Sequence, residues 1–146
     1  MPTANIVPDG DVLTGWDKVH PTTPETHFDK LDEGTSAPED SYYVESTILG
    51  AVDSFTLTAS PGDLSTLTAV DLNYRARIVD PSFQRTIQLD LFHTGGTPVA
   101  GNPQIVKVSD LGGSGVIATV QKSWPGLSLT KAQADSLECR TTHSNL

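Results

Sequence analysis

The chain has 146 residues, enough for one domain with a sizeable core. Its 36% hydrophobic and 18% charged residues exclude a highly charged disordered chain, and its best apolar cluster, residues 48–52, falls far short of the ~20 residues of a membrane-spanning helix. A net charge of -9 would repel a phosphate backbone, which argues against nucleic acid as a partner. Residues 1–46 hold ten of the eighteen carboxylates against only Lys18 and Lys30, together with five of the ten prolines. Proline removes backbone donors and the like charges repel, so this opening is expected to resist helix and continuous sheet. Trp16, Phe28, Leu31, Tyr42 and Tyr43 are spaced through it, so it is read as an extended arm rather than a plain linker.

From residue 42 the pattern changes to period two, the mark of half-buried strands. Strands are predicted over 43–48, 55–59, 70–78, 86–92, 104–108, 116–120 and 137–142. The clearest is 70–78, with Val70, Leu72, Tyr74, Ala76 and Ile78 on one face and Asp71, Asn73, Arg75 and Arg77 on the other. In 86–92, Ile87, Leu89 and Leu91 point inward. Turn signals separate the runs at Pro61-Gly62-Asp63, Asp80-Pro81-Ser82, Gly95-Gly96 and Gly112-Gly113-Ser114-Gly115. Only 129–136 looks helical, for about two turns. The expectation is an all-β, jelly-roll-like antiparallel β-sandwich over 42–146, preceded by an acidic, Pro-rich arm over 1–41.

The search for chemistry yields little. Gly113-Ser114-Gly115 lacks the Gly-x-Ser-x-Gly spacing of a nucleophile elbow and precedes no long helix, so it reads as a loop. Asp9-Gly10-Asp11 resembles the start of a calcium loop, but the twelfth position from Asp9 is His20 rather than Glu. His20 and His27 have no spacing that brings them together locally. Cys139 is the sole cysteine, which excludes an intrachain disulfide, and it alternates with Leu137 as an inward, inert thiol. Pro21-Thr22-Thr23-Pro24 matches a polyproline pattern that chance produces often. Carboxylates at Asp32, Glu33, Glu39 and Asp40 fall in the arm, where nothing would hold them at a working separation. The residues therefore predict no enzyme, no cofactor and no metal. The N-terminus shows no basic and apolar leader, giving the expectation of a protein that folds in its producer's cytoplasm.

Two groups of segments carry a resemblance. The first runs from Pro8-Asp-Gly-Asp through Trp16, Phe28-Asp-Lys-Leu-Asp-Glu-Gly34 and Pro38-Glu-Asp-Ser-Tyr-Tyr-Val-Glu-Ser46; the second comprises Ser123-Trp-Pro-Gly-Leu127 and Ala134-Asp-Ser-Leu-Glu-Cys-Arg140. Their order is similar to that of a domain recurring in virion proteins of tailed bacteriophages. The resemblance implies a jelly-roll or concanavalin-like sandwich and a head decoration or tail-fibre role. It implies no catalytic residues. The resulting expectation is a non-enzymatic capsid decoration (cement) subunit, located in the virion and binding the major capsid protein and neighbouring copies of itself, a homo-oligomer guessed to be a trimer. Trp16, Phe28, Tyr42 and Tyr43 are the candidate partner contacts, and removal of residues 1–20 is expected to leave a folded sandwich that no longer attaches. The alternative is a carbohydrate- or receptor-binding module of a fibre or spike, with Trp16, Trp124, Tyr42 and Tyr43 available to stack on sugar rings.

Overall fold

The computed structural model describes residues 3–16, 18–20 and 43–146. Its strands, numbered in chain order, are β1 (Pro8–Thr14), β2 (Lys18–His20), β3 (Tyr43–Glu45), β4 (Val52–Leu57), β5 (Thr66–Leu67), β6 (Val70–Arg77), β7 (Arg85–His93), β8 (Thr97–Pro98), β9 (Gln104–Lys107), β10 (Ile117–Trp124), β11 (Leu129–Thr130) and β12 (Glu138–Asn145). Among the described residues there is one α-helix, α1 (Lys131–Asp135), and a 3-10 turn covers Val108–Leu111. The protein is all-β, built from antiparallel sheets in a sandwich-like arrangement.

The principal sheet runs β1-β4-β12-β7, with β8 and β9 both pairing β7. Period two decides which side chains enter the core. Phe55, Leu57, Cys139, Leu89 and Leu91 lie on one face and are buried; Thr56, Glu138, Arg140, Gln88 and Phe92 take the other. Arg140 stacks over the Phe92 ring at 4.2 Å and pairs with Glu138 at 3.3 Å, so the outer face is knitted by long side chains. The second layer is β6 paired to β10 through eight residues, from Ile117 opposite Arg77 to Trp124 opposite Val70. The face of β6 that alternation predicts as internal does pack on the core, although Val70, Leu72, Tyr74 and Ala76 remain half-buried. The reason is geometric: among the described residues β6 has a strand on only one side.

The core side chains Leu89, Leu91, Val106 and Trp124 are wholly shielded from solvent. Each contributes on the order of 1.5–3 kcal/mol relative to exposure. The Trp124 indole N–H donates to Asn102 Oδ1 at 2.8 Å, which makes its full burial tolerable. Helix α1 is a single capped turn: Thr130 Oγ1 accepts from the Gln133 N–H while Gln133 Oε1 accepts from the Thr130 N–H. Lys131 reaches Asp135 at 2.9 Å one turn on.

The acidic opening departs from expectation. Residues 8–14, read from sequence as part of an arm that resists continuous sheet, are the edge strand of the principal sheet, pairing from Pro8 opposite Leu57 to Thr14 opposite Asp53. An edge strand tolerates this composition. Proline opens the strand where its missing donor costs nothing, two register shifts absorb Asp9 and Val12, and Asp9 Oδ1 accepts from the Thr56 hydroxyl at 2.7 Å. Removing residues 1–20 would therefore strip a strand from the sheet rather than leave it whole. The predicted strand over 55–59 begins earlier, at Val52, because Asp53 and Ser54 are polar yet wholly buried. The run over 116–120 extends to Trp124, and the predicted strand over 43–48 stops at Glu45. The helix expected over 129–136 shortens to Lys131–Asp135, its first two residues pairing β5 as β11.

Candidate functional site

A groove of about 1480 Å³ lies between β6 and a wall formed by the N-terminal segment, β3 and β4. Its floor is apolar, with Phe55, Leu57 and Cys139, and its walls carry Ile6, Trp16 and Tyr74. Arg75, Arg77 and Arg85 also line it. Both faces of β6 contribute to it, Tyr74 from one and Arg75 and Arg77 from the other.

The candidate partner contacts fall as follows. Trp16 is half-buried against the core, and its backbone N–H donates to Asp53 Oδ1 at 2.7 Å. Tyr43 is half-buried at the start of β3 and lines the groove. Phe28 and Tyr42 lie outside the described residues, as do His27 and the arm carboxylates Asp32, Glu33, Glu39 and Asp40. Trp124, considered as a sugar-stacking platform, is wholly buried with its N–H committed to Asn102, so its ring faces are closed to any ligand.

Two buried groups border the groove. Burial raises the Tyr74 hydroxyl above its usual range, Cys139 and Asp53 adding to the effect while a hydrogen bond with Thr141 opposes it. Burial likewise pushes the Cys139 thiol up to about 12, with Asp90 and Glu138 contributing. A thiol so raised is protonated near neutrality and inert as a nucleophile.

The remaining sequence motifs have structural roles. Ser114 Oγ accepts from the Asp80 N–H at 2.8 Å, bracing two loops. Asp80 itself organises the turn after β6. Its Oδ1 accepts from the Ser82 N–H and hydroxyl, and its Oδ2 from the N–H groups of Gln84 at 2.7 Å and Arg85 at 2.6 Å. These hydrogen bonds, that from the Ser82 hydroxyl first, lower its carboxyl pKa to about 2. The run Asp80-Pro81-Ser82 predicts a turn, but the four donors its carboxylate collects come from residues up to five positions away. Asp9 and Asp11 belong to β1, and among the described residues no three His, Cys, Asp or Glu side chains group as metal ligands would.

Comparison with protein families, curated proteins and solved structures finds no match to this chain in any of the three. The site is therefore read from its own geometry.

Proposed function

We propose that the protein is a non-enzymatic virion structural protein of a tailed bacteriophage, a jelly-roll-like capsid decoration (cement) subunit that binds the major capsid lattice. The observation that carries this reading is the placement of the residues behind the resemblance. Pro8-Asp-Gly-Asp lies in β1, Tyr43-Val-Glu forms β3, Ser123-Trp124 ends β10, and Glu138-Cys-Arg140 opens β12. These segments are the framework of a sandwich: an edge strand, a buried indole and a central strand. A pattern made of framework fits a family that shares a shape and a docking task rather than a reaction.

Charge supports the same reading. A subunit made in many copies must stay apart from its fellows before it docks, and a net charge of -9 does this. The partners in this reading are the capsid lattice and neighbouring copies. The full burial of Trp124 removes one of four aromatics on which a sugar-binding role would rest.

The test is sedimentation of the intact chain with assembled particles lacking it. Saturable recovery in the particle pellet, at a copy number fixed by the lattice, is expected. A chain that stays in the supernatant at micromolar concentration, or that turns over a substrate in an activity screen, would overturn the reading.

A further inference from the structure

Among the described residues most exposed large hydrophobic side chains are grouped. The registers of the strands bring the end of β12, the start of β7 and the end of β9 to one end of the principal sheet, and the loop before β4 is tied to it through Gly50 and His143. The end of β6 and the start of β10 meet there too, Arg77 lying opposite Ile117. Seven of the nine large hydrophobic residues that are exposed among the described residues sit at this end; Val12 and Leu13 lie lower on the sheet, level with Cys139 and Arg140 across β4. Ile48 and Leu49 form the loop before β4. Val79, at 70% exposure, and Phe83, at 48%, stand in the loop between β6 and β7. Val116 and Ile117 begin β10, and Leu146 follows β12. At the opposite end the comparable residues Val99, Leu127, Leu129 and Leu137 are all buried.

The loops of the apolar end are tied to one another. The Gly115 N–H donates to Ile78 O at 2.9 Å, the Leu146 N–H to Gln84 O at 2.9 Å, and the Gly50 N–H to His143 O at 2.7 Å. The Asp80 turn fixes the loop carrying Phe83, whose φ of 58° is a left-handed conformation that a bulky side chain adopts only when its surroundings hold it there. Aliphatic and aromatic side chains grouped in this way on an ordered end are the composition of an interface centre, not of ordinary surface.

Charge decides what covers it. Arg77 and Arg85 flank this end, whereas Asp80 is buried and Asp110 is paired with Lys122 at 3.1 Å and faces Lys107. Two copies meeting through this end would set those cations against their own kind. We propose that the loop end is the docking face, and that its occupant is a protein surface apolar at its centre and carboxylate-rich at its rim. This rests on the reading of the chain as a lattice-bound subunit and names the face it uses: the sandwich stands on its loop end, with the hydrophobic loops seated and the cations over the partner's acidic rim.

The test uses the full chain and assembled particles lacking it, with three proteins: wild type, Val79→Ser/Phe83→Ser/Ile117→Ser, and Arg77→Glu/Arg85→Glu. Circular dichroism and thermal melting establish that each is folded, and Val79→Ser alone serves if the triple variant is not. Wild type is expected in the pellet, the serine variant to bind about 100-fold more weakly, and the charge-reversed variant to lose about tenfold together with the salt dependence of binding. Wild-type affinity in the serine variant overturns this docking face and leaves the lattice reading intact. Failure of wild type to bind overturns the lattice reading and the docking face with it. A wild type that sediments as an oligomer while the serine variant is monomeric makes a second copy the occupant and overturns the acidic-rimmed partner.

Discussion

Replacing Asn102 with alanine should be among the most damaging single changes that leave the apolar core untouched. Asn102 Oδ1 accepts from the Leu91 N–H at 3.0 Å and from the Trp124 indole N–H at 2.8 Å, and its Nδ2 donates to Leu91 O at 2.6 Å. Leu91 and Trp124 are wholly buried, so neither donor can turn to water once the amide is gone. Leu91 O keeps a partner, the Val99 N–H at 2.9 Å, so two orphaned donors set the cost. At about 1–3 kcal/mol for each buried donor left unmade, the loss is roughly 2–6 kcal/mol. That is a large share of the ~5–15 kcal/mol expected of the whole domain. The melting temperature should fall on the order of 10 °C. Urea unfolding followed by far-ultraviolet circular dichroism and tryptophan fluorescence measures it. Trp124→Phe removes one of the donors, so Asn102→Ala made in that background should cost less, with a coupling of about 0.5–3 kcal/mol. An Asn102→Ala midpoint within about 0.5 kcal/mol of wild type would refute the reasoning, since that is the scale of an inconsequential surface change.

Four further outcomes are expected. Gly15→Ala places a Cβ 2.5 Å from Val52 O and 3.0 Å from Val52 N, backbone atoms that cannot yield cheaply; amide exchange across β1 and β4 should accelerate while that of β7 stays slow. Removal of residues 1–16 takes away β1 and the Trp16 N–H that Asp53 accepts, so the truncated chain should melt well below wild type, measured by calorimetry. The Asp80 carboxyl, ordinarily near 3.8, is lowered to about 2 in the fold; its stabilising contribution is complete above about 4 and is lost as pH falls toward 2. Asp80→Asn should therefore lower stability at pH 7 and flatten its decline between pH 4 and 2, read from urea midpoints across that range. Cys139, buried with its thiol raised to about 12, should resist a thiol reagent in the native protein at pH 8 and react fully in denaturant; fast native labelling would contradict its placement.

The parts of the fold legible in sequence are those where alternation and burial coincide. In β6 Val70, Leu72, Tyr74 and Ala76 share a face, and in β7 Ile87, Leu89 and Leu91 are internal as their spacing predicts. Legibility fails where a partner distant in sequence makes a local rule unnecessary. Pro8, Asp9 and Gly10 have turn chemistry, yet they form a strand because β4 supplies a ladder and Thr56 donates to Asp9. Asp53 is a charged residue in a core strand because Trp16, thirty-seven residues earlier, turns its N–H to it. The burial of Trp124 depends on Asn102, twenty-two residues away, and no local pattern announces that pairing. The apolar end is illegible for a related reason: Ile48, Val79, Phe83 and Val116 are unremarkable one by one, and only the strand registers gather them. Of the four aromatics singled out as partner contacts, the structure describes Trp16 and Tyr43 and sets both beside the groove.

Cryo-electron microscopy of purified phage particles tests most directly whether the protein is the proposed head subunit and which way it faces. Regularly spaced density on the head is expected, with the Val79 and Phe83 loops against the lattice and the opposite end, around α1, toward solvent. Particles without such density, or density with those loops pointing outward, would contradict the proposal.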